Sequence, residues 1–261
     1  MGSASIHSRG DWRGWLLGGV AFVAIVGTLL LPPIPQDPDY HLFADTRTIA
    51  GIPNFWNVVT NGPFALVGLY GLAVAPRIVA SWLRPGYLVF CVAVIGVSFG
   101  SGYYHYAPST PALVWDRLPM SIAFMAVFTL VLSDRVNAAL GRALLGPLLI
   151  IGAATVFYWS WTERHGRGDL RPYALVQFLP LLLIALMLWL YPGNRASTRW
   201  LWWAFLMYFL AKLAEAFDAP IFSAVGISGH TFKHLLSAVA ILFALFALLH
   251  LGSKTPRPDQ S

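Results

Sequence analysis

The sequence predicts an all-α fold, a polytopic membrane bundle of eight transmembrane helices. Three observations carry that expectation. Hydrophobic residues make up 57% of the 261 residues and charged residues only 11%. A soluble domain carries roughly 25% charged residues, so charge here is too scarce to cover a soluble globule, and lipid is the natural solvent. The apolar residues gather in runs of about twenty, the length of helix that crosses a bilayer. Tryptophans recur near the run ends, at Trp12, Trp56, Trp82, Trp115, Trp161 and Trp200, where amphipathic rings anchor at membrane–water interfaces. The net charge of +6 does not point to a nucleic acid, because the basic residues are scattered between apolar runs and form no patch. Cys91 is the one cysteine and lies inside an apolar run, which excludes an intramolecular disulfide and a cysteine-based zinc site.

Taken in order, residues 1–13 are polar, contain Arg9 and Arg13, and read as a disordered cytoplasmic N-terminus. The apolar run 14–33 is long for a signal peptide, and no small-x-small cleavage site follows it before LPPIPQDPD. It reads as a retained first helix, in a segment 14–35. Residues 34–53 form a loop rich in Pro and Asp, with Asp37, Asp39 and Asp45. Seven further helices are expected at about 54–75, 87–106, 113–133, 143–162, 172–191, 199–217 and 230–251. Their internal Gly and Pro are tolerated in membrane helices. Residues 252–261 read as a cytoplasmic tail.

Loop charge predicts the orientation. With the N-terminus inside, the inner segments hold Arg9, Arg13, Arg77, Arg84, Arg135, Arg142, Arg195, Arg199, Lys254 and Arg257, and the outer loops hold Arg47, Arg164, Arg167 and Arg171. Ten basic residues against four favour both termini on the cytoplasmic side. In that topology Ser101 and His105 end the third helix, Asp116 starts the fourth, and His230 and His234 start the eighth, all at the outer face. The charge count did not force that agreement.

Those residues carry the chemistry. His230 and His234 in HTFKH are at i and i+4, so their imidazoles share a helix face and can share a metal. The spacing is that of the HExxH zinc motif, but Thr231, Phe232 and Lys233 intervene, so any base must come from elsewhere. His105 can supply a third nitrogen. Three protein ligands and a water is the usual pattern of a catalytic zinc, which lowers the water pKa to about 7 and polarises a carbonyl. Asp116 can act as general base on the water and later as acid to the leaving group. Ser101, one turn before His105, can donate a hydrogen bond to an oxyanion. Singly, each has a blander reading: a hydrogen-bonding histidine at an interface, or Asp116 as a charge paired with Arg117. Together they are polar groups at membrane depth, where such groups are costly and functional by default. Gly96-Val97-Ser98-Phe99-Gly100 matches the GxSxG nucleophile elbow, but it lies in an apolar helical run and not on a strand-turn-helix. Ser98 reads as a packing residue. His41 and His165 fall in outer loops, and His7 and His250 on the inner side.

At these residues the sequence resembles the alkaline ceramidases and the wider superfamily of seven-helix membrane hydrolases around them. Their pattern is Ser-x3-His at one helix end, Asp at the next helix start, and His-x3-His at the start of the last helix. Here these are SGYYH (Ser101, His105), WDRLPM (Asp116) and HTFKH (His230, His234), with NFWNVVTNGPF at 54–64 similar to a further family stretch. The resemblance spans roughly 40–250. It implies a seven-helix hydrolase core over 36–251 with the first helix as an addition, zinc held by His105, His230 and His234, the water proton handled by Asp116, and Ser101 assisting. Two departures stand out. Asn54 occupies the position of a calcium-site Glu and Asp45 is the one acidic residue nearby, which puts calcium binding in doubt. The family's D-E-L-P becomes Asp116-Arg117-Leu118-Pro119, and Arg117 could lower the pKa of the base or meet an anionic head group. Both departures weaken the transfer of ceramide itself as substrate.

The expected function is therefore a zinc-dependent membrane hydrolase that cleaves a lipid amide, ceramide-like or another N-acyl lipid, with apolar helices lining an acyl-chain cleft. The alternatives are a zinc-dependent lipid esterase or acyl hydrolase, and a non-catalytic lipid-binding receptor or transporter with a structural metal. Lys212, Glu215 and Asp218 near the outer face read either as lining of the site or a head-group pocket, or as an interfacial salt-bridge set.

Overall fold

Proline and glycine decide where the apolar runs stop being helix. The computed structural model describes residues 12–78 and 80–252. Within them lie ten α-helices and no strand: α1 (Trp12–Leu30), α2 (Phe55–Val59), α3 (Gly62–Val74), α4 (Arg84–Tyr106), α5 (Thr110–Arg135), α6 (Ala138–Arg164), α7 (Arg171–Leu190), α8 (Arg195–Ala216), α9 (Asp218–Val225) and α10 (Gly229–Leu249). Helix α1 begins at Trp12, ahead of the expected start, and ends at Leu30 before Pro32 and Pro33, which disfavour helix in the residue ahead of each. Residues 1–11 and 253–261, where disordered tails are expected, lie outside the described residues.

The run expected as one helix over 54–75 is broken at Thr60 and Asn61. Pro63 sits in the first turn of α3, has no N–H to give and crowds the turn before it. Side chains take over at the break: Thr60 Oγ1 donates to the Trp56 carbonyl (2.5 Å) and Asn61 Nδ2 to that of Asn57 (2.7 Å). Residues 218–225, expected as loop, form the short α9.

Among the described residues, seven helical segments are long and apolar enough to cross a membrane: α1, 55–77, 81–106, α5, α6, α7 and α10. The expected seventh helix, 199–217, is α8; it has a similar length, but Trp200, Trp202, Trp203, Lys212 and Glu215 make it less apolar. It runs antiparallel to α10. Trp200 stacks on Phe243 and Phe246, both at 5.3 Å, at one end, while the Ala214 carbonyl abuts Gly229 at the other. Helix α5 is the most enclosed and packs on α4, α6 and α7, whereas α1 leans on α7 with nearly all its surface outward. Trp15, Phe22, Phe99, Ile150 and Trp189 are among the large apolar side chains left exposed. Such a surface belongs in hydrocarbon.

The two ends of the bundle differ. At one, Asp134 accepts from the Gly252 N–H (2.8 Å) and Arg135 reaches Ser197 and Thr198 on α8. At the other, the C-terminal ends of α4 and α8 meet the N-terminal ends of α5 and α10. Every site residue predicted from sequence lies at this second end.

Candidate metal centre

Backbone contact comes first, because Ser101 and Asp116 can meet only if α4 and α5 touch. Gly100 allows it: a Cβ there would lie 1.9 Å from the Trp115 carbonyl oxygen. The next residue on each helix is Ser101 and Asp116, both buried, with the Ser101 hydroxyl against the Asp116 carboxyl. Three residues, 107–109, then join the helices. Ser109 caps α5 by accepting from the Ala112 N–H (3.3 Å), which brings the end of α4 and its His105 beside the start of α5.

Helix α10 begins the same way. A Cβ on Gly229 would meet the Ala214 carbonyl oxygen at 2.1 Å, so α10 starts hard against α8, and His230 follows at once. The first N–H groups of a helix need acceptors from outside it. Asp218 accepts from the His230 N–H (2.9 Å), and Ser228 from that of Thr231 (3.0 Å). The other oxygen of Asp218 accepts from the Ala44 N–H (2.9 Å) and ties in the 43–47 loop. Asn57 of α2 takes the Thr231 hydroxyl (2.9 Å) and faces that of Ser228 (3.3 Å).

These junctions bring His105, His230 and His234 into a triangle whose ring centroids are 4.7–4.9 Å apart, each ring at most 5% exposed. One nitrogen from each lies within 4.8 Å of the others. The Nε2 atoms of His105 and His230 are 3.3 Å apart. That matches the roughly 3.3–3.4 Å edge of a tetrahedron with metal–nitrogen bonds of about 2.0–2.1 Å. Thr60 at the α2–α3 break fixes the third ring. Its hydroxyl hydrogen goes to the Trp56 carbonyl, so toward His234 Nδ1 (3.0 Å) it can only accept. The proton therefore sits on Nδ1, and Nε2 turns a lone pair inward with no protein partner while fully buried. Outer hydrogen bonds of this kind fix the tautomer of metal-binding histidines. The buried cluster could hold a metal ion. Phe43 covers two of the rings at 4.8 Å.

A narrow cavity of about 150 Å³ opens beside the triad. Ser101, Asp116, Lys233, His234 and Tyr208 form its polar end, and Phe64, Phe90, Val97, Met120 and Ile184 are among its apolar walls. Lys233 pairs with Glu215 (2.5 Å), whose other oxygen pairs with Lys212. Arg117 takes no part in it. It is buried among Trp159 (4.1 Å), Tyr173 (4.9 Å) and Tyr40 (5.5 Å), donates to Gln36 Oε1 (2.7 Å), and makes no ion pair with Asp116. The GxSxG stretch lies within α4, where Gly100 acts in packing. His41 bonds Tyr104 (2.9 Å) and Thr110 (3.1 Å), and His165 the Trp161 carbonyl. His7 lies outside the described residues.

The ceramidase family model matches residues 44–217, two thirds of the chain. The chain belongs to the ceramidase family. No curated protein matches it. For this ceramidase-family chain, membership implies a hydrolase acting on amide bonds. The match takes in Ser101, His105 and Asp116 but stops short of His230 and His234, which only the fold brings to the same place. Within 54–64 the sequence singles out Asn54 alone, as the counterpart of a calcium-site Glu. The structure engages Asn54, which donates to the His105 carbonyl (2.9 Å), as well as Asn57 and Thr60. Asp45, the loop's other candidate for a cation, is tied to Arg47, whose hydrogen bonds hold its carboxyl below the usual carboxylate range. Gly100, Gly229 and Asp218 position the site as well. The spacing marks neither glycine, and Asp218, grouped from sequence with Lys212 and Glu215 as site lining or a salt-bridge set, instead accepts from the backbone of His230 and Ala44.

Proposed function

We propose that the protein is a zinc-dependent membrane amidase acting on a lipid amide, ceramide or another N-acyl lipid. The observation that carries this reading is the buried triangle of His105, His230 and His234, with one nitrogen of each within 4.8 Å of the others and His234 Nε2 left without a protein partner. Three imidazoles with room for a fourth ligand are the donor set of a catalytic zinc. When bound, zinc supplies a Lewis acid for the amide carbonyl and acidifies a water.

The chain's own residues do the rest. Asp116, beside His234 at the polar end of the cavity, takes the water proton and returns it to the leaving amine. Ser101 holds the Asp116 carboxyl in place, a role closer to the base than the oxyanion contact expected from sequence. The apolar walls hold the acyl chain and exclude water. At about 150 Å³ the cavity is small beside the roughly 300–1,000 Å³ usual for ligand pockets, so it suits one slender chain. The hydrolase core runs over 36–251 with α1 as an addition, both termini cytoplasmic and the site toward the outer face.

The test is purified protein assayed for metal and for turnover of matched lipid amides and esters, with released fatty acid read by mass spectrometry. About one zinc per chain and amide cleavage are expected. Ester cleavage without amide cleavage would replace the amidase with an esterase. One zinc with no turnover of either would make it a lipid-binding protein with a structural metal.

A further inference from the structure

The end of the bundle opposite the metal centre has a recess of its own. An open groove of about 700 Å³ lies where α7 turns into α8, between Leu188, Pro192 and Gly193 on one side and the first turns of α8 on the other. Of its lining, Arg195, Arg199, Trp202 and Leu206 are at i, i+4, i+7 and i+11, so they share one face of α8. Along that face the chemistry changes in one direction: guanidinium groups, then the indoles of Trp202 and Trp203, then hydrocarbon. The span is about 16 Å at a rise of 1.5 Å per residue. A phospholipid has the same order, from phosphate through ester carbonyls, which indole N–H groups can meet, to acyl chain. Trp202, Trp203 and Leu206 are 47%, 46% and 41% exposed. The charge is not cancelled within the groove. Among the described residues no carboxylate lines it, and Arg195 and Arg199 join no ion pair. Asp134, the one acidic side chain at this end among the described residues, is taken up by Arg135 (3.0 Å) and the Gly252 N–H (2.8 Å). The wall behind is polar as well. Arg135 donates to the Thr198 hydroxyl (3.0 Å), and its Nη1, buried without a hydrogen-bond partner, lies against Gly193, where a side chain would collide with it. Basic residues collect at cytoplasmic helix ends in general, as Arg77 and Arg142 do here. What sets Arg195 and Arg199 apart is the recess they line and the graded face they begin.

We propose that this groove seats an anionic phospholipid, with its phosphate on Arg195 and Arg199 and an acyl chain running past Trp202 and Trp203 to Leu206. Arginine forks match phosphate oxygens, and basic recesses between transmembrane helices bind the head groups of anionic lipids. On the proposed orientation this end meets the cytoplasmic leaflet, which carries the anionic lipids. Seated there, the lipid braces the end of α7 against the first turns of α8. The site is separate from the metal centre and does not depend on the amidase reading.

The experiment titrates full-length protein, stripped of lipid in a neutral detergent, with dioleoyl phosphatidylglycerol, dioleoyl phosphatidylcholine or inorganic phosphate. The two lipids share their chains and differ in net charge. Native mass spectrometry counts bound lipid, and thermal unfolding reads the stabilisation. Wild type is expected to hold one phosphatidylglycerol per chain about tenfold more tightly than phosphatidylcholine, with no protection from inorganic phosphate at the same concentration. Arg195→Glu with Arg199→Glu should abolish the preference, and Arg195→Lys with Arg199→Lys should keep most of it. Arg77→Glu with Arg142→Glu, at exposed arginines of the same end outside the groove, should leave it unchanged. Equal loss in both Glu pairs would reduce the site to a generally positive surface and overturn it. Equal binding of the two lipids by wild type, or protection by inorganic phosphate to match phosphatidylglycerol, would overturn it too. These wild-type comparisons need no variant, so they decide the matter even where the Glu pair fails to fold.

Discussion

Two helix junctions build the site, and they are made differently. Between α4 and α5 the connection is local: three residues, a serine cap and one glycine that lets the Trp115 carbonyl approach. Between α8 and α10 an extra helix intervenes, and the start of α10 is held by its own cap Ser228, by Asp218 at the start of α9 and by Asn57 of α2. The first junction delivers Ser101, His105 and Asp116. The second delivers both remaining histidines. A local junction survives in any sequence that keeps its few residues, whereas a distributed one depends on groups far apart in the chain. The family match covers residues 44–217, which hold the first junction and α8 but not α10.

The largest effect should come from the residues the two junctions share. His105→Ala, His230→Ala or His234→Ala should each abolish stoichiometric zinc and lower turnover on the order of 10³-fold or more, the scale of losing several kcal/mol of Lewis-acid stabilisation. Asp116→Asn should cost about 10²–10⁴-fold in kcat while zinc stays bound, as for loss of a general base. Metal analysis beside kinetics distinguishes the two classes. A zinc-free Asp116→Asn would mean that Asp116 belongs to the metal shell.

The two glycines test the comparison directly. Gly100→Ala and Gly229→Ala each drive a methyl into a backbone carbonyl, an overpacking that costs about 1–3 kcal/mol. Gly100→Ala should part Ser101 from Asp116 and lower kcat up to about a hundredfold, the penalty for roughly 1 Å of misplacement, with zinc content near normal. Gly229→Ala should displace His230 and weaken zinc binding as well. Equal zinc loss in both variants would erase the distinction between the junctions. Thr60→Val, which takes the acceptor from His234 Nδ1, should weaken zinc affinity about 10–100-fold, measured by competition with a chelator.

How much of this was legible in the sequence follows the same line. The i, i+4 pair of His230 and His234, the Ser101–His105 spacing and the position of Asp116 can be read from helix periodicity alone. The membrane bundle follows from scarce charge and apolar runs. The break at Thr60 could not be read, because a proline in an apolar run can equally start a helix or kink one. The cage of Arg117 draws on Gln36, Tyr40, Trp159 and Tyr173, four residues from separate elements, and no spacing rule links them. The same holds for Asp218, whose acceptor role exists only once the 43–47 loop and α10 have met.

The smallest effect expected is an acid one, confined to the distributed junction. Arg47 binds Asp45 and the Gly226 carbonyl (2.7 Å) and packs over Phe222, which fastens the 43–47 loop to the end of α9. The hydrogen bonds from Arg47 lower the pKa of Asp45 in the folded protein. A carboxyl whose folded pKa is depressed contributes stability that is complete above its unfolded pKa of about 3.9 and is lost as pH falls through the folded value. The clasp should therefore be indifferent to pH from neutrality to about pH 5 and release below about pH 4. Asp45→Asn should loosen it at every pH and flatten the acid dependence of the 43–47 region, read by hydrogen exchange. The backbone amides of Ala107 and Ser109, which no carboxylate clasps, should keep the same exchange profile in both proteins. Acid loosening of 107–109 in step with 43–47 would mean that the two junctions open as one unit.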